Sequence, residues 1–399
     1  MHNLTKIRIF RILLWISYPF AILLCYLPAY FKRKNPSGLF FFFDRYSIGG
    51  AQRIHLDILA SVADIYKQVY FTRKSPNDRL KSTFYAIPGT DNRDIHFWCD
   101  NLLFRLFAVH YHAFYLNRHQ HAHVLSANST FFYDLLPFLN KSVVSTELLH
   151  NFSYGKKGME FFGLANHQRL NFRVVYDSFT LSNIKNQYAE FKVDSLFLDR
   201  IKFIEPGVDL PSEIPVKDIR LPIKILYAGR GGPQKRVWIL NKIVEHSIKL
   251  NWSIQFQFAG TMTDELSELT KKHSIVHGEV SSKQQMSEIY NDNHLIILTS
   301  AYEGFPMVIK EGMARGCIPF VTALEGNKMH LVHQQNSLLI NAVEDESAVV
   351  GKAIEILQHI LANPSVLAPL SENAAVYAQK HFRKEEFMEK YRSFLLFRD

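Results

Sequence analysis

Two patterns of apolar and polar positions divide the chain. The first is a single uncharged run, ILLWISYPFAILLCYLPAYF, twenty residues between Arg11 and Lys32. As a helix at ~1.5 Å per residue it reaches ~30 Å, the thickness of a bilayer core. Pro19 and Pro28 each remove a helical hydrogen bond, so the run predicts a spanning, kinked or re-entrant membrane segment, with a buried core helix as the alternative. The second pattern starts at Leu39, where short apolar runs alternate with stretches of helical period. LFFFFD (39–44) reads as a buried strand, and Gly49-Gly50-Ala51-Gln52-Arg53 opens a helix with Ile54, Ile58, Leu59 and Val62 on its apolar face. Further strands are predicted at Val69–Thr72, His123–Ala127, Ser142–Thr146 and Arg173–Asp177. After EPGVDLPSEIPVKDIRLP (205–222), rich in proline and without helical period, a second series follows: IKILYAG (223–229), IQFQFAG (254–260), HLIILTS (294–300) and IPFVTA (318–323). Continuous apolar strands separated by helices predict parallel, doubly wound sheets, so the fold class is α/β. The expected organisation is a membrane-associated segment at 1–35, an N-terminal α/β domain at 36–205, a linker at 206–222, a second α/β domain at 223–380, and a C-terminal helix at 381–399 that can pack back toward the N-terminal domain.

Composition sharpens this only at one end. The 399 residues carry 46 Lys+Arg against 37 Asp+Glu, a formal +9. Lys6, Arg8, Arg11, Lys32, Arg33 and Lys34 supply six of those charges around the apolar run, leaving the rest of the chain near neutral. A nucleic-acid-binding protein would place its basic excess on the folded body, so no nucleic-acid partner is expected. Basic flanks with Trp15, Tyr18, Tyr26 and Tyr30 suit a lipid interface, so membrane lipid is the expected partner of residues 12–31. A cleaved signal peptide fits poorly, because the run is long and no small-x-small site precedes Lys32. Cys25, Cys99 and Cys317 are too few for a disulfide framework and point to a reducing compartment.

Candidate chemistry lies in the second half. GRGGPQKR (229–236) follows a strand, so Arg230 and Lys235 stand at its C-terminal end, where open α/β sheets bind ligands. Two cations on a glycine turn can converge on a diphosphate, although such a pair alone also reads as solvated surface charge. Gln234 breaks the dinucleotide fingerprint, and no G-K-[ST] phosphate loop occurs. SAYEGFPMVIKEGMARGCIPFVT (300–322) is the stronger feature. Glu303 precedes Gly304-Phe305-Pro306, and Pro306 is expected in the first turn of a helix running through Arg315. Gly304 leaves the backbone open, and the amides of Phe305, Met307 and Val308 would then form a phosphate cradle at the helix N-terminus. Glu311, a turn and a half inside, could accept hydrogen bonds from sugar hydroxyls. As ordinary residues, Glu303 and Glu311 would be helix acids.

With the E-x7-E pair in EGFPMVIKEGMARG and the G-R-x-x-x-x-K spacing of Arg230 and Lys235, the chain resembles retaining glycosyltransferase family 4 (glycosyl transferases group 1). IEPGVD (204–209) and SIGGAQR (47–53) resemble further segments of that family. The resemblance implies the GT-B fold of two facing Rossmann-like domains and transfer of a sugar from a nucleoside-diphosphate sugar with retention. It implies that Arg230 and Lys235 neutralise the leaving diphosphate, that Glu311 holds the donor ribose, and that Glu303 lies near the transferred sugar. Gly49 and Gly50 would let the first loop approach donor or acceptor, and His150 would contact the donor sugar. The family needs no metal or other cofactor. The implied acceptor is a lipid-linked glycan or surface polysaccharide, with the enzyme on a membrane and its active site facing the cytoplasm.

Some positions depart from the family. Glu325 replaces a glycine in ALEGNKMH (323–330), and Ser337 stands where glycine is usual; both can alter donor selection. HGEV (277–280) occupies a region that often meets the nucleobase. His110, His112, His119, His121 and His123 form a cluster, the last three at strand spacing, that lacks a nearby acid or cysteine to complete a metal site. The sequons at Asn3, Asn128, Asn151 and Asn251 matter only in a secretory lumen. Lys156 and Lys157 could meet an anionic acceptor, or simply be solvated. Two rival readings remain: a catalytically silent membrane scaffold of the same fold, and a sugar-nucleotide epimerase or hydrolase.

Overall fold

The computed structural model describes residues 2–47, 49–152 and 158–396, and the chain forms two compact units, residues 1–205 with 387–399, and residues 206–386. The first unit is built on strands β1 (Leu39–Phe43), β2 (Lys67–Phe71), β3 (Thr90–Asp94), β4 (His123–Ala127), β5 (Val144–Leu148), β6 (Phe172–Val175) and β7 (Ile201–Phe203). Their order in the sheet is β3-β2-β1-β4-β5-β6-β7, with every pairing parallel. All five residues of β1, LFFFF, are apolar and buried, because helices cover both faces of the sheet. Phe42 stacks on Tyr70 at 4.7 Å, and Phe43 stacks on His55 at 4.1 Å.

Several polar groups buried in this unit are paired. Lys67, fully buried in β2, donates to the carbonyls of Val62, Ile65 and Pro88 at 2.8–3.0 Å. Arg173 and Glu147, each 1% exposed, form an ion pair at 2.7 Å, and the Tyr133 hydroxyl donates to the same carboxylate. The Arg173 guanidinium also donates to the Tyr188 hydroxyl at 3.1 Å.

The N-terminal segment is one continuous helix, His2–Phe31, with Pro19 and Pro28 inside it, rather than the re-entrant segment the prolines allowed. It lies against the helix Leu102–Asn117 of the same unit, burying Leu14, Ala21, Cys25 and Ala29.

The histidine cluster is dispersed. His110 meets the Leu14 carbonyl, His112 the Ala108 carbonyl, His119 the Asn35 amide, and His123 the Thr146 hydroxyl. Only His123 lies in a strand; His119 and His121 precede it in the connection. Among the described residues no group of three or more His, Cys, Asp or Glu side chains could hold a metal ion.

Burial depresses several of these imidazoles. His112 is lowered to about 3, His123 to about 4 and His150 to about 3, against 6.5 for an ordinary histidine, each chiefly by desolvation. In the unfolded chain the same rings titrate near 6.5, so below that pH the unfolded state binds protons the folded state refuses. The stability they contribute is complete above about pH 6.5 and is lost as pH falls toward 3–4, at about 1.4 kcal/mol per proton per pH unit. The expected result is a melting temperature that drops steeply on acidification from about pH 6.5, measured by scanning calorimetry; a flat profile to about pH 5 would contradict the neutral burial of these rings.

The second unit contains β8 (Ile223–Ala228), β9 (Ile254–Ala259), β10 (Ser274–Gly278), β11 (Leu295–Leu298), β12 (Ile318–Thr322) and β13 (Leu338–Ile340), all parallel in the order β10-β9-β8-β11-β12-β13. Residues 206–222 belong to this unit. Val208 N donates to the Phe382 carbonyl at 2.9 Å, and the buried Lys310 ammonium caps the Pro206 carbonyl at 2.9 Å while lying over the Phe382 ring. In both sheets the first strand is central and the chain then winds outward in both directions. The order reverses between β8 and β11 in the second unit, and open α/β sheets bind ligands at the strands' C-terminal ends beside such a reversal.

Candidate active site

In the second unit the loops after β8 and β11 flank this reversal. The β8 loop, Gly229–Arg236, is shaped from within. The buried Tyr227 donates its hydroxyl to the Arg230 carbonyl at 2.6 Å, and Gly232 adopts φ +112°, which favours glycine. The amides of Lys235 and Arg236 close a turn on the Gly232 carbonyl at 2.9 and 3.2 Å, and the helix Val237–Lys249 follows. Burial, aided by the charge of Glu303 and Glu265, raises the Tyr227 phenol far above its ordinary value, so it stays a hydrogen-bond donor.

Arg236, which sequence reasoning passed over, fixes this loop to its neighbours. Its side chain is buried and donates to the carbonyls of Thr299 at 2.7 Å, Ser300 at 3.0 Å and Val343 at 2.6 Å. Ala301 N donates to the Gln234 carbonyl at 2.8 Å, and Gln234 Nε2 to the Tyr302 carbonyl at 3.0 Å. The two loops are thus one hydrogen-bonded body. On it, Arg230 is exposed, with Nη2 3.4 Å from Gln234 Oε1, and Lys235 Nζ lies 2.5 Å from Glu303 Oε1 with both side chains 12% exposed. Three of the residues singled out from the sequence therefore share one loop pair, and two of them are directly bonded to each other.

The helix after β11 is Met307–Ala314 and not the longer one expected. Pro306 is its N-cap rather than a first-turn residue: its ψ is 137°, and its carbonyl accepts from Ile309 N at 3.0 Å. Helix geometry therefore leaves the Met307 and Val308 amides unpaired at the positive end, while the Phe305 amide lies one residue upstream of the cap. Phe305 is buried, stacking with His330 at 4.5 Å and Phe382 at 5.6 Å, which anchors the Gly304-Phe305-Pro306 turn in the core. Glu311 is held by the Tyr290 hydroxyl, which donates to Oε2 at 2.8 Å.

The loop after β12 approaches the same turn. A side chain at Gly326 would overlap the Gly304 and Glu303 carbonyls. Glu325 stands beside it, and Gly326 is the position where the backbones touch. Gly326→Ala is expected to push the Glu303–Gly304 turn outward, costing about 1–3 kcal/mol of stability and weakening anion binding with it. Thermal unfolding and ligand titration of the variant check this; wild-type values for both would contradict it.

The remaining site residues lie in the first unit. Gly49 is the N-cap of the helix Gly50–Ala60 with φ 173°, extended backbone open to any residue. His150 follows β5 and is buried. Its Nε2 lies 2.7 Å from His55 Nε2, and its Nδ1 lies 3.3 Å from the Tyr176 hydroxyl. His55, ninety-five positions earlier, gave no sign of this pairing in the sequence. Ile48, Lys156 and Lys157 lie outside the described residues.

Two parallel, doubly wound α/β units of this kind make up the GT-B fold of glycosyltransferases. More particularly, residues 222–359, which carry every second-unit site residue named above, match the family described as glycosyl transferases group 1. No curated protein is significantly similar in sequence. Among solved structures, the chain is similar to Anabaena HepE in complex with UDP and glucose, at 13% identity over 90% of this chain and 99% of that one, with a TM-score of 0.71. It is likewise similar to TarM (13% identity, 92% and 99% covered, TM-score 0.69) and to the lipopolysaccharide outer core galactosyltransferase WaaB (16% identity, 89% and 98% covered, TM-score 0.66). At these identities the likeness is one of fold.

Proposed function

We propose that this protein is a retaining glycosyltransferase that moves a sugar from a nucleoside-diphosphate sugar to a lipid-linked glycan or surface polysaccharide at a membrane, its active site on the cytoplasmic side. The observation that carries this reading is the joined loop pair at the second sheet's reversal, with Arg230, Lys235 and the Met307–Val308 amides on one body. The group 1 match over those loops supports the reading, as do the UDP bound by HepE and the galactosyltransferase description of WaaB.

The diphosphate enters as an anion of higher charge than Glu303 and takes over the Lys235 ammonium. Arg230 and the helix amides hold it from the other directions. As the bond from anomeric carbon to phosphate oxygen breaks, negative charge grows on the leaving group and these donors bind it more tightly, which lowers the barrier. Side-chain cations and backbone dipoles do this work in the proposal, with no metal. Glu303, released from Lys235, turns to the hydroxyls of the transferred sugar, and Glu311, fixed by Tyr290, takes the ribose hydroxyls. The acceptor hydroxyl bonds to the anomeric carbon and its proton passes to the leaving phosphate. His150 is assigned to the donor sugar, with His55 and Tyr176 setting its ring.

The test is a turnover assay with a panel of nucleotide sugars and membrane lipid extract, reading nucleoside diphosphate release and the anomeric configuration of the product. Retention with one donor, and His150→Ala turnover lowered about tenfold or more, are expected. Donor consumed at full rate without acceptor would favour the hydrolase reading, and an inverted product would rule out retention.

A further inference from the structure

We propose that the helix His2–Phe31 is an in-plane anchor, docked along the first unit with its outer face sunk into one leaflet of an anionic membrane, and that it does not cross the bilayer. The inference deepens the membrane part of the proposed function and starts from what the helix touches. Its inner stripe, Leu14, Ala21, Cys25 and Ala29, is at most 7% exposed. Polar bonds fasten it along its length. His110 Nε2 meets both the Leu14 carbonyl and Ser17 Oγ at 3.1 Å, Arg11 donates to Asn166 Oδ1 at 2.8 Å, and Arg118 donates to the carbonyls of Ala29 and Lys32 at 2.6 and 2.8 Å. At its end the Lys32 ammonium lies 4.0 Å from the Tyr115 ring centroid.

The helix beneath it, Leu102–Asn117, is itself part of the first unit's core. Val109, Ala113, Tyr115 and Leu116 are buried with Phe40, Phe42 and Val124 of the sheet. Driving His2–Phe31 through a bilayer would draw that sheet and the Arg105–Asp134 ion pair toward hydrocarbon, where backbone and charge are costly to bury. Lying in the interface avoids this.

The outer face argues for lipid as its occupant. Ile16, Phe20, Leu23, Leu24, Leu27 and Phe31 are 56–78% exposed, and no charge occurs from residue 12 to 31. Pro19 and Pro28 deprive the Trp15 and Leu24 carbonyls of their helical donors, and at headgroup depth water can satisfy both. Lys6 and Arg8 before this face, and Arg33 and Lys34 after it, are exposed and complement anionic headgroups. The helix also passes beside a second exposed apolar group. Phe10 stacks 5.5 Å from the Arg105 guanidinium, next to the mutually packed rings of Phe97, Trp98 and Phe104. Aromatic side chains of this kind favour the interface.

The test uses the full chain bound to sealed phosphatidylcholine–phosphatidylglycerol vesicles. Single cysteines are introduced as Lys6→Cys, Lys34→Cys and, on the 95% exposed surface of the second unit, Val216→Cys; the three native cysteines are buried. All three positions are expected to react with an impermeant maleimide added outside. Protection of Lys6→Cys until the vesicles are opened would establish a span and overturn the proposal. In a second arm, Phe20→Glu/Leu23→Glu/Leu24→Glu is expected to lower the vesicle-bound fraction about tenfold or more and leave a soluble monomer. Unchanged binding, or a wild-type dimer that ignores vesicles and is dissolved by the triple variant, would overturn it as well. Neither arm reads transferase activity, so failure here is distinct from failure of the catalytic reading, and the labelling arm stands even if the triple variant does not fold.

Discussion

Lys235→Ala is expected to lower kcat/KM for glycosyl transfer about 10²–10³-fold, roughly 3–4 kcal/mol of transition-state stabilisation. Two effects add in this variant. The ammonium proposed to neutralise the leaving diphosphate is gone, and Glu303, only 12% exposed and bonded to Lys235 at 2.5 Å, becomes a carboxylate without its cation. That carboxylate then repels the incoming diphosphate. The second effect is separable. Glu303→Gln added to Lys235→Ala removes the repulsion, so the double variant is expected to bind nucleoside diphosphate more tightly than Lys235→Ala alone, while turnover stays low. A double-mutant cycle on diphosphate affinity measures this coupling, and strict additivity would show that the pair does not act as one unit.

The second large effect is structural. Arg236→Met is expected to destabilise the second unit by about 2–4 kcal/mol, because it leaves the Thr299 and Val343 carbonyls without the donor that now satisfies them and takes from the Ser300 carbonyl one of its two donors, the other being the Thr322 hydroxyl. Arg236 sits in a left-handed conformation, φ 51°, at the start of the helix Val237–Lys249, so the guanidinium also holds a backbone geometry that non-glycine residues seldom adopt. Its loss loosens the β8 loop from the β11 loop, and the Lys235–Glu303 pair with it. Denaturant unfolding should show the loss directly, with anion binding falling in parallel. A variant of wild-type stability would mean that the Gln234 bonds to Ala301 and Tyr302 hold the two loops together without this side chain.

Legibility followed burial chemistry. The strands visible from the sequence, β1, β2, β4, β5, β6, β8, β9, β11 and β12, are mostly buried. Those that escaped were polar or short. β2 was legible only from Val69 on, because its start hides Lys67 by giving the ammonium three carbonyls, and β3, TDNRD, which escaped, is an edge strand whose Asp91 is bonded by Gln68, Tyr66 and Arg93. Period and apolarity do not signal a strand whose polar groups are matched one by one. The same limit applies at the candidate site. Arg230, Lys235, Glu303 and Glu311 stood out because charged residues flank glycines just after apolar strands. Arg236 stood beside them but looked like one more surface cation, since its partners are backbone carbonyls more than sixty residues away. His55 was equally silent, because its partner His150 reaches it only through the fold. For the N-terminal run, length and hydropathy spoke for lipid, while the docking seam was present but weak, in the small residues Ala21, Cys25 and Ala29 at four-residue spacing.

The central claim is that Arg230 and Lys235, on one rigid loop pair, form a diphosphate site, and calorimetric titration with nucleoside diphosphates tests it most directly. With UDP, GDP and the other bases compared in parallel, one is expected to bind the wild-type chain in the micromolar range. Arg230→Ala should weaken it about tenfold or more at unchanged melting temperature, and Lys235→Ala by at least as much with a lowered melting temperature from the unpaired Glu303. If no nucleoside diphosphate binds, or if the best one binds both variants as tightly as wild type, the anion site lies elsewhere and the account fails.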